Sequence, residues 1–331
     1  MGSADTDIAV AASVEVPASI EGKSPKQLAW MRFRRDRFAM VAAGIIVFYI
    51  FCAAFSPMIC GVLGISPYEL DRSALNDYGL PKGSFGGISG DHWLGVEPGT
   101  GRDILARLLY GARVSLLVGF VGTILTTAIG VVIGVFAGYR RGRVDAVIGR
   151  IMDLTLAFPS FLLIIALTRP FTQRLESLGV PEGNPARLTY IVLVLATFGW
   201  VYVARVVRGQ TLSLREREFV EAARASGAGT AHIIFKQLLP NLWAPIIVIV
   251  SLSLPAYVAT ESTLSFLGLG MLPPAASWGV MLGDSVKYYR ADPTYLFIPG
   301  TALIILVLAF NILGDAVRDA LDPKADRQSL S

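Results

Sequence analysis

Charged residues are scarce in this chain, and that scarcity limits what kind of protein it can be. Asp, Glu, Lys and Arg make up 16% of its 331 residues, whereas an average soluble domain has about 25%. Hydrophobic residues make up 53%, and the mean hydropathy is +0.58. This composition argues against an ordinary soluble fold and indicates a chain that lies largely within a lipid bilayer.

Histidine and cysteine are equally scarce, with two residues of each type. Neither His92 nor His232 has a Cys or a second His at the spacing that zinc sites use. Cys52 and Cys60 are about 12 Å apart along one helix, which is too far for a disulfide. We therefore predict no metal site, no disulfide and no catalytic residues of the Ser-His-Asp or Cys-His type.

The chain also lacks a nucleotide-binding loop. Gly-Lys-Ser at residues 22–24 matches the end of the phosphate-binding motif, but Pro17 occupies the place of the required first glycine. The formal net charge of +4 is spread over four loops, which argues against nucleic acid as a partner. We predict no cofactor in this chain.

Long apolar runs are what the chain has instead. A helix needs about 20 mostly apolar residues to span a bilayer, and the qualifying windows are residues 38–60, 114–138, 151–168, 188–204, 242–266 and 294–313. The predicted fold class is all-α, a polytopic membrane protein with six transmembrane helices. The predicted organisation is a mostly disordered N-terminal tail (1–37), a first transmembrane helix with a long outer loop (38–113), a five-helix core (114–313) and a C-terminal tail (314–331).

The charges of the loops predict the orientation of these helices. With the N-terminus inside, the inner segments are residues 1–37, 139–150, 205–241 and 314–331. They hold 19 of the 29 Lys and Arg residues, and inner loops of membrane proteins are enriched in these two residue types. We therefore expect a multi-pass protein of the cell (inner) membrane, surrounded by lipid, with both termini in the cytoplasm.

Glycine and proline punctuate the apolar runs. Gly130, Gly134 and Gly138 form two overlapping GxxxG patterns, which favour close packing of two membrane helices. Pro159 and Pro255 fall inside predicted spans, where each removes a backbone hydrogen bond. Kinks at such prolines suit a bundle that bends around a transport path, although passive bundles contain them too.

Two acidic residues fall within predicted spans. Glu261 lies about 7.5 Å from the outer end of the fifth window, and charged groups inside membranes are functional candidates. Glu261 therefore either faces a transport path or gates its outer mouth, or else it reaches the headgroup zone. Asp153 lies near an inner end and is expected to pair with Arg150, three residues earlier.

The inner segment 205–241, called the insert below, is far longer than a connection between two helices requires. The stretch SLRE at residues 213–216 fits a capping box that starts a helix, and Gly227 fits the left-handed residue that ends one. Thr230 is expected to cap a second helix, which Pro240 terminates. We therefore predict a helix, a glycine turn and a second helix.

The first helix of the insert has an unusual surface. Phe219, Ala222 and Ala223 form a narrow strip of mostly small apolar side chains, which suits a shallow groove on another protein. A helix lying on the membrane surface is the alternative, but such a helix favours a broad apolar face and net basic charge. Residues 215–224 hold three Arg and three Glu, which favours docking to a protein.

One stretch of the insert resembles a known signature. EAARASGAGTAHIIFKQLLP, residues 221–240, is similar to the EAA motif in the membrane subunits of binding-protein-dependent ABC importers. The positions that match at the spacing of the motif are Glu221, Ala222, Ala223, Gly227, Leu239 and Pro240. The isoleucine position of the motif falls on Gln237, which is a departure.

Other stretches extend the resemblance over most of the chain. HWLGVEPGTGRDILARLLYGARVSL (92–116), ESTLSFLGLGMLPPAASWGVML (261–282) and GDAVRDALDP (314–323) resemble the C-type permease of the peptide/nickel branch. The resemblance implies the permease fold of type I importers and the import of di- or oligopeptides. It also implies a second permease subunit in a heterodimer, two ATPase subunits that bind ATP and Mg, and an extracytoplasmic solute-binding protein.

By this resemblance, residues 218–229 are the coupling helix that docks in a groove of an ATPase subunit. The residues implied in coupling are Glu218, Phe219, Glu221, Ala222, Ala223, Arg224 and Gly227, and those implied in the turn and end of the insert are Gly229, Leu239 and Pro240. The chain itself is expected to catalyse no reaction.

Three other functions remain open from the sequence. An ion- or proton-driven secondary transporter tends to show internal repeats and a broken helix near the membrane midplane, and no clear repeat is visible. An ABC importer of nickel or another non-peptide solute shares the same permease pattern. A membrane enzyme requires a cluster of polar catalytic groups at one depth, which the sequence does not offer.

Overall fold

The computed structural model describes residues 25–321. Within this range the regular structure is helical with no β-strand, and residues 64–103 form a long loop that holds one 3-10 turn, Arg72–Ala74. The first helices are α1 (Pro25–Arg35), α2 (Arg37–Leu63), α3 (Ile104–Arg140), α4 (Gly142–Ala157), α5 (Ser160–Ser177) and α6 (Asn184–Leu214). They are followed by α7 (Glu218–Ala225), α8 (Thr230–His232), a π-helical stretch (Ile233–Leu238), α9 (Leu239–Phe266), α10 (Trp278–Ser285) and α11 (Thr294–Leu321).

Five stretches of the described chain are single spans by length and composition, namely α2, α3, α6, the run Thr230–Phe266 and α11. A sixth crossing requires α4 and α5 together, and these helices are bent by 83° at their junction. The all-α polytopic class is confirmed, but the prediction of one continuous span at 151–168 is wrong. Pro159 lacks an N–H group and holds Phe158 in extended backbone (φ −81°, ψ 136°), so the helix ends there.

The prolines of the fifth span behave differently. Residues 230–266 form one helical run, so the predictions that Pro240 ends a helix and that Thr230 caps one are wrong. Leu239 and Pro240 stand in the first turn of α9, where a missing N–H is tolerated after the wider π-helical stretch. Gly229 takes the cap position, and α9 continues past the buried Pro255.

The start of the first insert helix also differs from the prediction. α6 continues to Leu214, so Ser213 lies inside a helix and the predicted capping box with Glu216 is wrong. Arg217 precedes α7 without a side-chain cap. Tertiary packing of α6 against α3 extends α6 past the residues whose local pattern favours a new helix start.

The seam between α3 and α6 is the most extensive helix contact among the described residues. A Cβ atom added to Gly134 would lie 2.7 Å from the Ala204 carbonyl oxygen, and one added to Gly130 would lie 2.8 Å from that of Trp200. Two turns after Gly130, a Cβ atom added to Gly138 would lie 2.9 Å from the Arg208 carbonyl oxygen. The predicted GxxxG seam is therefore present, and it brings the two backbones into contact.

The remaining spans surround this pair. α9 and α2 pack against α3, and α11 packs against α2 and α9. Their largest shared core surrounds Trp278, Tyr295, Leu306 and Phe310. The surfaces of the spans that face away from the helix bundle carry exposed large apolar side chains, as contact with lipid requires. Among them are Phe48, Ile124, Val132, Leu162, Phe297 and Ile304.

The predicted tails are partly helical. α1 covers residues 25–35 of the tail 1–37 that is predicted to be mostly disordered, and α11 extends past the predicted end at residue 313. The rest of both tails lies outside the described residues. Asp153 pairs with Arg205 of α6 at 2.8 Å, so the predicted pair with Arg150 is wrong because α4 packs beside α6.

Replacing Gly134 with Ala tests the seam. The added methyl group would collide with the Ala204 carbonyl, and overpacking of this kind costs about 1–3 kcal/mol, so we expect a lower midpoint of thermal unfolding in detergent. Gly209 on the surface of α6 is the matched control, since a Cβ atom there meets nothing within 4 Å. Gly209→Ala is expected to keep or raise the midpoint, and equal midpoints for the two variants would contradict the seam.

Candidate functional site

The helix α7 lies at the turn between α6 and the run 230–266, and its end is sharply defined. The Ala228 N–H donates to the Ala223 carbonyl at 3.0 Å, and the Gly227 N–H donates to the Arg224 carbonyl at 2.9 Å. Gly227 has a φ of +80°, a left-handed conformation that glycine adopts without strain. The predicted glycine turn is therefore present.

One face of α7 packs against the protein itself. Val220 is fully buried and shares a cluster with Ile233 and Leu238, at the start of the following span. Ala223 and Tyr139 are half-buried at the edge of this cluster. Sequence reasoning missed Val220, although its spacing of three residues from Ala223 is the signal of a shared helix face.

The other face of α7 is open. Glu218, Phe219, Glu221 and Ala222 are exposed, and Phe219 has 37% of its surface accessible. The predicted apolar strip is therefore divided, because Ala223 turns inward with Val220 while its two companions turn outward. The open face combines one aromatic ring, a small alanine and two carboxylates.

Arginine side chains connect the insert to the end of α3. Arg215 donates a hydrogen bond to the Tyr139 carbonyl. The guanidinium groups of Arg215 and Arg224 lie 5.8 and 5.9 Å from the centroid of the Tyr139 ring, within the range of cation–π attraction. Arg141 also pairs with Glu216 at 3.0 Å. The predicted coupling residue Arg224 thus contacts the protein's own α3 as well as the solvent.

Glu261 lies near the C-terminal end of α9 and is fully buried. Its carboxyl group accepts hydrogen bonds from Ser115 of α3 at 2.7 Å and from Ser277, just before α10, at 3.0 Å. The prediction that it faces a path or the headgroup zone is wrong in this conformation, because a pocket of hydroxyl groups encloses it. Burial of a carboxyl group requires such partners.

A charged cluster near the start of α3 escaped sequence reasoning. Arg107 of α3 is fully buried, and its Nε lies 3.5 Å from the Glu97 carboxylate. Its guanidinium donates to the carbonyls of Pro274 and Ala275 at 3.3 and 3.4 Å, and Tyr295 of α11 donates to Glu97 at 2.5 Å. The available signal was an arginine within the apolar stripe at residues 104–109.

His92 in the outer loop bridges two carboxylates. Its Nδ1 lies 2.9 Å from Asp103, and its Nε2 lies 3.3 Å from Asp71. Burial lowers the pKa of His92, but the hydrogen bonds to Asp103 and Asp71 outweigh that effect, so its pKa lies above the ordinary value. Both ring nitrogens donate only in the protonated form. Glu69 and Lys82 line the same cleft, whose volume is about 870 Å³.

Within residues 25–321, no group of three or more His, Cys, Asp or Glu side chains could hold a metal ion. Cys52 and Cys60 are free thiols. The insert thus presents an exposed helix, α7, one face of which packs against two spans.

The fold defines the class of protein. It is similar to the MetNI methionine ABC transporter, solved in inward-facing conformations, with a TM-score of 0.52 and 22% identity over 65% of this chain and 96% of that chain. The chain therefore has the fold of an ABC importer permease.

Comparison of sequences identifies the family. Residues 130–327 match the family model described as "binding-protein-dependent transport system inner membrane component", and residues 24–79 match the "N-terminal TM domain of oligopeptide transport permease C". The chain belongs to the family of binding-protein-dependent transport system inner membrane components, so the resemblance seen in the EAA motif is confirmed.

Relatives match over nearly the whole chain. The dipeptide transport system permease protein DppC of Bacillus subtilis is 38% identical over 91% of this chain and 86% of the relative. The oligopeptide transport system permease protein OppC of the same organism is 38% identical over 89% of this chain and 88% of the relative. The glutathione transport system permease protein GsiD of Pectobacterium atrosepticum is 37% identical over 91% and 92%.

A change of pH tests the His92 bridge. Because folding raises the pKa of His92, the stabilisation is fully present below the unfolded value of about 6.5 and is lost as pH rises through the folded value. We expect the amides of residues 66–103, corrected for intrinsic exchange, to exchange hydrogen more slowly at about pH 5.5 than at about pH 8.

The matched control for this experiment is the other histidine. His92→Gln is expected to remove the pH difference in the outer loop, whereas His232→Gln, at an exposed position in the insert, is expected to leave it unchanged. A wild-type outer loop whose protection does not vary with pH would show that the bridge contributes nothing.

Proposed function

We propose that this chain is the transmembrane permease subunit of an ATP-driven importer of di- and oligopeptides, in which α7 docks on a separate ATPase subunit. The observation that carries this proposal is the geometry of α7. One face of this helix packs against two spans of the protein itself, while the opposite face is open. The names of the relatives, which are dipeptide, oligopeptide and glutathione permeases, support a peptide as the solute.

The proposal implies an assembly of several chains. This chain and a second permease subunit enclose the path, and an extracytoplasmic solute-binding protein delivers the peptide. Two ATPase subunits bind ATP and Mg, and this chain contributes no catalytic residue. The excess of Lys and Arg in the inner segments supports a cytoplasmic position for the insert and for both termini.

A displacement of α7 has two routes into the membrane. The first passes from Val220 to Ile233 and Leu238, which lead directly into α9. The second passes from Arg224 of α7, whose guanidinium lies 5.9 Å from the centroid of the Tyr139 ring, to the end of α3. Because α3 and α6 share the glycine seam, they move as a pair. Closure of the ATPase subunits is thereby converted into a tilt of α3, α6 and α9, which opens the path to alternate sides.

The open face of α7 indicates the chemistry of its docking surface. Glu218 and Glu221 form no ion pair with any other described residue, so each can accept a charge-assisted hydrogen bond from Arg or Lys of the ATPase. Phe219 offers an apolar anchor, and Ala222 allows close approach. The matching surface is a shallow groove with an apolar floor and a basic rim.

A secondary transporter is the second candidate, because α4 and α5 form a broken helix of the kind that lines ion and solute sites in that class. The break itself falls at Phe158 and Pro159, which carry no charge. The nearest acid, Asp153, already pairs with Arg205. The two candidates differ in their source of energy, which an uptake experiment measures directly.

Uptake of a labelled dipeptide and a labelled oligopeptide into proteoliposomes tests the proposal. The chain is reconstituted with its co-expressed partners and the solute-binding protein. We expect uptake to require ATP on the ATPase side and to persist after ionophores collapse the ion gradients. Uptake driven by an ion gradient alone would identify a secondary transporter. ATP-dependent uptake of a nickel complex, without transport of peptide, would identify a non-peptide importer.

Cysteine crosslinking tests the docking face of α7. In a background with Cys52→Ala and Cys60→Ala, we expect Ala222→Cys to crosslink to an ATPase subunit through a short bifunctional reagent, with a yield that changes on ATP binding. The neighbouring Ala223→Cys is the matched control, since Ala223 turns inward, and its yield is expected to be much lower. Absence of any crosslink from Ala222→Cys would remove α7 from the docking surface.

A further inference from the structure

Residues 267–277, between α9 and α10, join the outer ends of three spans. Asn184 of α6 donates to the Leu272 carbonyl at 2.9 Å and accepts from the Leu272 N–H at 2.8 Å. Arg187 of the same helix donates to the Gly270 carbonyl at 3.0 Å. Arg107 of α3 donates to two carbonyls near the end of the segment. Side chains of α3 and α6 therefore hold a segment that is covalently continuous with α9.

Beneath this segment lies the Glu261 cluster, which we define as the carboxyl group of Glu261 and the hydroxyl groups of Ser115, Ser262, Ser265 and Ser277. Ser115 and Ser262 donate to Oε2 at 2.7 and 3.3 Å. Ser265 and Ser277 donate to Oε1 at 2.8 and 3.0 Å. The bonds from Ser262 and Ser265 stay within α9, whereas the other two cross to α3 and to the residue preceding α10.

The Glu261 cluster is closed to its surroundings. All five of its side chains are buried, and Glu261 has no accessible surface. Among residues 25–321, no Lys, Arg or His forms an ion pair with it. The hydroxyl donors are thus what compensates the burial of this carboxyl group, and a buried acceptor that loses its donors is destabilised. The cluster therefore favours the arrangement in which α3, α9 and α10 meet.

Close packing around the cluster leaves α10 little freedom. A Cβ atom added to Gly111 of α3 would lie 2.6 Å from the Trp278 ring, and one added to Gly279 of α10 would lie 2.6 Å from the Ser265 Cβ atom. Trp278 also donates from its indole nitrogen to the Leu108 carbonyl at 2.9 Å. The cluster thus lies where three helices already touch.

We propose that Glu261 is a positioning residue for transport, which holds α3, α9 and α10 together through Ser115 and Ser277 so that their outer ends move as one body. This role rests on the proposed function of the chain as an importer subunit. Glu261 does not contact the solute, because its side chain is enclosed. When either crossing bond is lost, the outer ends move separately, and ATP hydrolysis continues with less solute transported.

Single serine replacements in the complete reconstituted transporter test this role. Ser115→Ala and Ser277→Ala each remove a bond that crosses to another element. We expect the amount of peptide transported per ATP hydrolysed to fall by at least about twofold, which is the lower end of what one hydrogen bond contributes to an equilibrium. Ser262→Ala is the matched control, because it removes a bond to the same carboxyl group within one helix, and its ratio is expected to stay close to wild type.

Hydrogen exchange of residues 267–277 in the same complex gives a second readout that does not depend on transport. We expect exchange to accelerate by about threefold to tenfold in Ser115→Ala and Ser277→Ala, and to remain unchanged in Ser262→Ala. Glu261→Gln replaces one accepting oxygen with a donating amide, and we expect it to behave like Ser115→Ala. Glu261→Gln tests the positioning role if one of the alanine variants is not expressed in the membrane.

The possible outcomes separate this role from the proposed function. Equal effects of all three alanine variants, or no effect of any, would overturn the positioning role. A changed KM for peptide in Glu261→Gln would also overturn it, because that result indicates contact with the solute. Failure of the wild-type complex to import peptide with ATP would overturn the proposed function alone, and the exchange experiment would still judge the Glu261 cluster.

Discussion

Direct backbone contact between α3 and α6 is the constraint on which the other features of this protein depend. In a bilayer, apolar side chains gain little by leaving lipid for one another, so membrane helices associate through close fit. Gly130, Gly134 and Gly138 supply that fit because α3 carries no side chain at these three positions, so the carbonyls and side chains of α6 approach its backbone closely. α3 has 37 residues, or about 55 Å of helix, and carries Ser115 toward one end and Tyr139 at the other. The seam thus fixes α3, which contributes Ser115 to the Glu261 cluster and Tyr139 to the residues that pack against α7.

Features that depend on local chemistry were predictable from the sequence. The apolar runs indicate helical spans, because apolar side chains favour lipid and the backbone within lipid must form its hydrogen bonds internally. Gly227 indicates a turn because few other residues adopt its left-handed conformation. Pro159 and Pro240 show where such local rules stop. Both lack an N–H, yet Pro159 ends a helix, whereas Pro240 lies in the first turn of α9 after a π-helical stretch.

Features that depend on distant partners were not predictable. Val220 is one aliphatic residue among many in the sequence, and its burial follows only from Ile233 and Leu238 folding back beneath it. Glu261 is enclosed because Ser115, far away in sequence, donates to it. Three consecutive residues of the EAA motif illustrate the same limit, since Glu221 and Ala222 face outward while Ala223 faces inward. The motif identifies the surface, but only the fold assigns each residue to a side.

The π-helical stretch Ile233–Leu238 sets the rotational phase between α7 and the span that follows it. Each residue of an α-helix turns the chain by about 100°, so deleting one residue there would swing the insert by about a quarter of a revolution. Val220 would lose its contacts with Ile233 and Leu238, and Phe219 would no longer lie on the exposed face of α7. Chain length in this stretch therefore constrains the protein in addition to the identity of its two buried residues, Ile233 and Leu238.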